Sequence, residues 1–149
     1  MSRVDACPEH GEKTRRRDLR YCFSLKHHGG SRKDAQWADD LSHEEEFAIF
    51  DEADFREISS DDAGNLYGLR RDEESNLLDL GTRGEQIAKF WENGLDQPWH
   101  GFPLFPLLGT DVKQNRRNTP APRSALLKME QAGLIQAIER KRLQKGYRG

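Results

Sequence analysis

Residues 90–108, from Phe90 to Leu108, read FWENGLDQPWHGFPLFPLL and hold two of the three Trp, three of the seven Phe and three of the six Pro of a 149-residue chain. How this block is folded decides where the core lies. Upstream of it, Thr82-Arg83-Gly84-Glu85 has the Thr-x-x-Glu form of a helix-starting capping box. Ile87, Phe90 and Trp91 then stand at i, i+3 and i+4, one apolar stripe of a helix. Gly94 suits the left-handed position after a helix end and would set Leu95 against Phe90 in a Schellman turn. The spacing therefore predicts a helix over 82–93. Downstream, Pro98, Pro103 and Pro106 remove backbone donors and push Gln97, Phe102 and Phe105 toward extended backbone. Neither helix nor inner strand fits, so an extended segment is expected, with Trp99, Phe102, Leu104 and Phe105 packed over the domain.

Outward from that block, Ser42-His43-Glu44-Glu45 is a second capping box and predicts a helix running to about Ala53. The apolar set Phe47, Ile49, Phe50 and Ala53 is only partly periodic, which leaves a strand through 47–50 as the other reading. Residues 55–59, 66–70 and 77–80 are short apolar segments divided by polar turns, the pattern of a small antiparallel meander. The middle one alternates most cleanly. Toward the C-terminus, 123–132 reads as a helix closed by Gly133, with Leu134 meeting Met129. Residues 135–145 read as a second helix closed by Gly146, so the two form a basic helical hairpin. The ten residues LLKMEQAGLI, Leu126 to Ile135, resemble the end of the recognition helix of winged-helix proteins, although a charged helix follows where a strand and wing belong.

Composition bounds the rest. Only 34% of residues are apolar and 34% are charged, against roughly 45–50% and 25% in typical domains. A core spanning the whole chain is not expected. The charges come in blocks: 9 Lys and Arg against 4 Asp and Glu over 1–33, 5 against 19 over 34–96, and 10 against 3 over 97–149. One meaning is a folded protein with an acidic and a basic face. A sharper one is a basic surface for an anionic partner with an acidic segment that competes for it. The expected layout is a disordered basic tail (1–41), a small α+β domain (42–110) with a three-stranded antiparallel meander on one or two helices, a basic linker (111–122) and the helical hairpin (123–149). The longest apolar runs, 47–50 and 102–108, fall far short of the ~20 residues of a spanning helix. The N-terminus lacks the apolar stretch of a secretory signal. A cytoplasmic protein with free or metal-bound cysteines is the expectation.

Four constellations are candidates for chemistry. Cys7, His10, Cys22 and His27 have spacings close to those of small zinc sites, though not in the usual order; the competing reading is a tail that merely contains them. His100 has a pKa suited to proton transfer. With cations such as Arg116, Arg117 and Arg123 it would suit a small metal-independent nuclease of toxin type; the bland reading is a histidine held in a Trp-His-Gly turn. Arg116, Arg117, Arg123, Arg140, Lys141 and Arg142 could bind phosphates, or be a solvated helix face. Trp99, Phe102 and Phe105 could present a protein-binding patch, or cover the core. No cofactor motif is present. The expected function is a non-enzymatic binding or regulatory protein engaging a protein or nucleic acid, with the nuclease as the alternative.

Overall fold

A computed structural model describes residues 13–23, 36–59, 64–82, 85–92, 98–104 and 122–144. It has an α+β fold in the order α1 (His43–Phe55), β1 (Leu66–Gly68), β2 (Ile87–Glu92), β3 (Trp99–Leu104), α2 (Arg123–Gln131) and α3 (Ala137–Gln144). The start of α1 is the expected capping box. Ser42 Oγ accepts from the Glu45 N–H at 3.1 Å, and Glu45 Oε1 accepts from the Ser42 N–H at 3.0 Å. This settles 47–50 as helix, with Ile49, Phe50 and Ala53 on the buried face.

The three strands form one antiparallel sheet in the order β1-β2-β3. A three-stranded meander is what the sequence predicts, but from other segments. Of 55–59, 66–70 and 77–80, only the middle one is a strand; Ser59 and Leu77 make isolated bridges to Leu66 and Arg71. The helix predicted over 82–93 is instead β2, the central strand. Its capping box does not form: Glu85 is buried, and its backbone carbonyl accepts from the Leu80 N–H. Phe90 lies across from Gly101 on β3 and beside Gly68 on β1, so its ring occupies space that side chains on either neighbouring strand would fill. Strand pairing on both sides outweighs an apolar stripe that never gains a helical neighbour.

Proline fits in β3 because β3 is an edge. The Trp99 N–H donates to the Arg20 carbonyl (2.8 Å) and the Trp99 carbonyl accepts from the Cys22 N–H (2.9 Å), so the backbone groups of Trp99 point away from β2. Backbone direction alternates along a strand. Pro103, four residues on, therefore also faces outward, where its missing N–H costs no ladder bond.

Alternation also splits the core in two. Ala88, Phe90 and Trp99 face α1 and pack with Phe50, Leu66, Ile49 and Leu80. Ile87, Leu104 and Tyr67 face the other way and pack with Ala125, Leu126, Met129, Ile135 and Leu143 of the helical pair. The α2–α3 turn is a complete Schellman motif: Gly133 has φ +77°, the Leu134 N–H donates to the Met129 carbonyl (2.9 Å) and the Gly133 N–H to the Glu130 carbonyl (3.0 Å). Helix α3 follows where a winged-helix protein has a strand and wing.

Residues 13–23 and 36–41, assigned on composition to a tail, contribute Tyr21, Trp37 and Leu41 to the first core. Arginines and aspartates around single aromatics lower the average hydrophobicity of a segment without preventing those aromatics from docking. Among the described residues no helix is long and apolar enough to cross a membrane.

Candidate binding face

The face of the sheet turned away from α1 carries Ile87, Lys89 and Trp91 on β2 and His100, Phe102 and Leu104 on β3, in the register Ile87 to Leu104, Lys89 to Phe102 and Trp91 to His100. The helical pair covers the Ile87–Leu104 end, and Phe102 packs partly against it. Four residues along β2 from Ile87, Trp91 is half-buried and belongs to neither core among the described residues. Its ring stands edge-on to Phe102 at 5.3 Å (74°) and 6.0 Å from the His100 ring. Such edge-to-face contacts orient aromatic rings as well as hold them. Lys89 is half-buried on the same face and Glu92, next to Trp91, is exposed. The result is an aromatic group with one cation, on the central strand and its β3 neighbour.

The predicted site residues are distributed differently. Trp99 is buried on the opposite face against Phe50, with ring centroids 5.7 Å apart. Phe102 is half-buried beside Trp91, and Phe105 lies outside the described residues. Trp99 and Phe102 therefore do not share a face, because odd and even positions of a strand face opposite ways. His100 is buried within β3 rather than held in a turn. Arg116 and Arg117, which would accompany it in a nuclease, lie outside the described residues. Cys7, His10 and His27 do as well. Cys22 is buried and disulfide-bonded. Its sulfur is thus neither free nor available as a thiolate ligand, contrary to the expectation for a reducing compartment.

The hairpin docks on the domain through Arg71 and Lys128. Arg71 Nη2 donates to Glu139 Oε1 at 2.6 Å, while its other guanidinium nitrogens donate to the Leu134 and Ser75 carbonyls. Burial works to raise the Glu139 carboxyl, but hydrogen bonds from the Gln136 N–H and from Arg71 outweigh it and hold the group below the usual carboxylate range. Lys128 Nζ donates to the Ser59 carbonyl at 2.7 Å. Of the predicted phosphate binders, Arg140 donates to Glu130, Arg142 is half-buried, and Arg123 and Lys141 are exposed.

Sequence reasoning passed over Trp91 and Lys89 as parts of a helix. The signal that could have placed them is the β-favouring run Ile87-Ala88-Lys89-Phe90-Trp91, in which Phe90 and Trp91 need not share a face. No protein-family model, curated protein or solved structure matches the chain.

Proposed function

We propose that this is a non-enzymatic binding protein that engages a protein partner through the Trp91, His100 and Phe102 end of the sheet. The observation that carries the reading is the position of Trp91: half-buried on the central strand, braced by Phe102 and, among the described residues, outside both cores. Tryptophan is the residue type most enriched among interface positions that dominate affinity, and a braced ring loses little freedom on contact. The engagement of Arg140 and Lys128 within the fold favours a protein over a polyanion, since only unengaged cations release counterions on binding phosphates.

The test is co-purification from native cells with the full chain and with Trp91→Ala, both verified folded by urea unfolding. Proteins retained by the parent chain and lost by the variant are the expected result. An identical set with both chains refutes the reading. Salt-dependent retention on a polynucleotide, abolished by combined Arg123→Ala and Lys141→Ala, would replace the protein partner with nucleic acid. Cleavage of labelled RNA that disappears in His100→Ala would replace binding with catalysis.

A further inference from the structure

Residues 13–23 lie along α1 in reverse order, and the character of the contact changes from one end to the other. At the C-terminal end of α1 three consecutive arginines meet its carboxylates. The Arg15 N–H and Nε donate to Asp51 (2.8 and 2.5 Å) and Arg15 Nη2 to Glu52 (2.6 Å). Arg16 Nε donates to the Asp54 carbonyl and its Nη2 to Asp54 Oδ1 at 3.3 Å. The Arg17 N–H and Nε donate to the Asp54 carboxylate at 3.2 and 2.5 Å. In mid-helix the Tyr21 hydroxyl donates to Glu46, both buried. At the N-terminal end Phe23 stacks on His43 with centroids 4.1 Å apart. The last turn of α1 has no basic residue of its own, so the arginine turn supplies the positive charge that a helix C-terminus favours.

The two ends respond differently to solvent. Arg15 and its partner Glu52 are 52% and 46% exposed, and Arg17 is 40% exposed above Asp54, which is fully buried. Exposed ion pairs are screened by salt. Tyr21 and Glu46 are buried and the backbone bonds between Arg20, Cys22 and Trp99 are neutral, so salt screens this end far less.

We propose that the 13–19 turn is an ionic latch. It leaves the end of α1 as ionic strength rises, while residues 20–23 stay fixed between α1 and β3. The opened state exposes Arg15, Arg16 and Arg17 together with the carboxylates of Asp51, Glu52 and Asp54, which neutralise one another when the latch is closed. The same transition lifts the Arg17 guanidinium from the Trp99 ring, 5.8 Å away in the closed state. This inference is independent of the partner-binding face.

Amide hydrogen exchange on the full chain tests it. The Arg17 and Leu19 amides report the turn, since they donate to Asp54 and to Thr14 Oγ1; the Cys22 and Trp99 amides report the anchor, and the Phe90 amide the sheet. Between low salt and 1 M NaCl, where the screening length falls to about 3 Å, the turn amides should lose protection about tenfold or more while the others keep theirs. Arg15→Gln, which alters an exposed side chain, should bring the loss to low salt. Turn amides indifferent to both salt and Arg15→Gln overturn the latch. Anchor amides that lose protection in step with the turn overturn it equally, because the segment would then leave as one piece.

Discussion

Gly101→Ala tests the sheet register directly. A Cβ at this position would lie 2.5 Å from Phe90 Cε1 and 2.7 Å from the Tyr21 hydroxyl oxygen. Neither neighbour has room to retreat. Phe90 is fully buried, flanked by Phe50 at 5.2 Å and Tyr21 at 5.8 Å, and Tyr21 is tied to Glu46. Overpacking a tight core costs about 1–3 kcal/mol, and a pinned ring argues for the upper end. Replacing glycine in a strand returns about 0.5–1 kcal/mol of backbone entropy. The net expectation is a loss of about 2 kcal/mol. With an m-value of about 1.5 kcal/mol/M this lowers the urea midpoint by roughly 1.3 M. Because the damage runs through the Phe90 ring, Phe90→Leu in the same chain should recover part of it, with a favourable coupling of about 1 kcal/mol in the double-mutant cycle. If Gly101→Ala stays within about 0.5 kcal/mol of the parent, or if the two substitutions simply add, Gly101 does not face Phe90. The strand reading of 87–92 would then fail with it.

Other perturbations bear on the rest of the fold. Arg71→Ala leaves Glu139, whose side chain is 16% exposed, without its cation; a cost of about 2–3 kcal/mol in urea unfolding is expected, below the ~3–5 kcal/mol of a fully buried pair. Amides of α2 and α3 should exchange earlier than those of β2 in that variant. Gly133→Ala places a side chain at φ +77° with no steric neighbour, so only backbone strain contributes, about 1–2 kcal/mol. The carboxyls of Asp72, Glu52 and Glu139 all titrate below their ordinary values. Asn76 hydrogen bonds cause the shift at Asp72; burial is outweighed at Glu52 by Arg56 and Arg15, and at Glu139 by the Gln136 N–H and Arg71. Their stabilisation is therefore complete above the unfolded carboxylate range, near pH 4, and is lost as pH falls through the lower folded values. Urea midpoints should fall between pH 5 and pH 2.5, and less steeply in Glu139→Gln. Tyr21 shifts the other way, chiefly through burial and then through Glu46. Its contribution is complete below about pH 10 and is lost above it, so Tyr21→Phe should flatten the alkaline limb of the stability profile.

Elements whose ends are written in local chemistry could be read from the sequence. The Ser42–Glu45 box and the Gly133–Leu134 turn need only residues within one turn of a helix, and both form as expected. Elements that depend on distant partners could not. The pattern over 82–95 satisfies a capping box and an apolar stripe, yet Glu85 is drawn into the loop against Leu80, and a strand forms because Gly68 and Gly101 leave room for Phe90. Those two glycines are 33 residues apart in the chain, beyond any periodicity window. The same holds for Tyr21 and Trp37: a windowed average sees arginine and aspartate around them, whereas the cleft between α1 and the sheet meets single side chains. Of the candidate site, the abundance of aromatics in 90–104 was legible; which of them share a face was not.

The strand conformation of 87–92 also decides which aromatics share a face. On a helix, Ile87, Phe90 and Trp91 share a stripe and burial accounts for all three. On a strand they part: Phe90 turns to α1, and Ile87 and Trp91 turn to the other face. The helical pair, bolted down by Arg71 and Lys128, covers Ile87. Trp91 lies four residues, about 13 Å, further along the strand, beyond that cover among the described residues. The docking that turns the hairpin from a free basic arm into structure thus marks the limit of the second core. Past that limit stands a tryptophan for which the first core has no use, which is why the binding reading moves from the hairpin to the sheet.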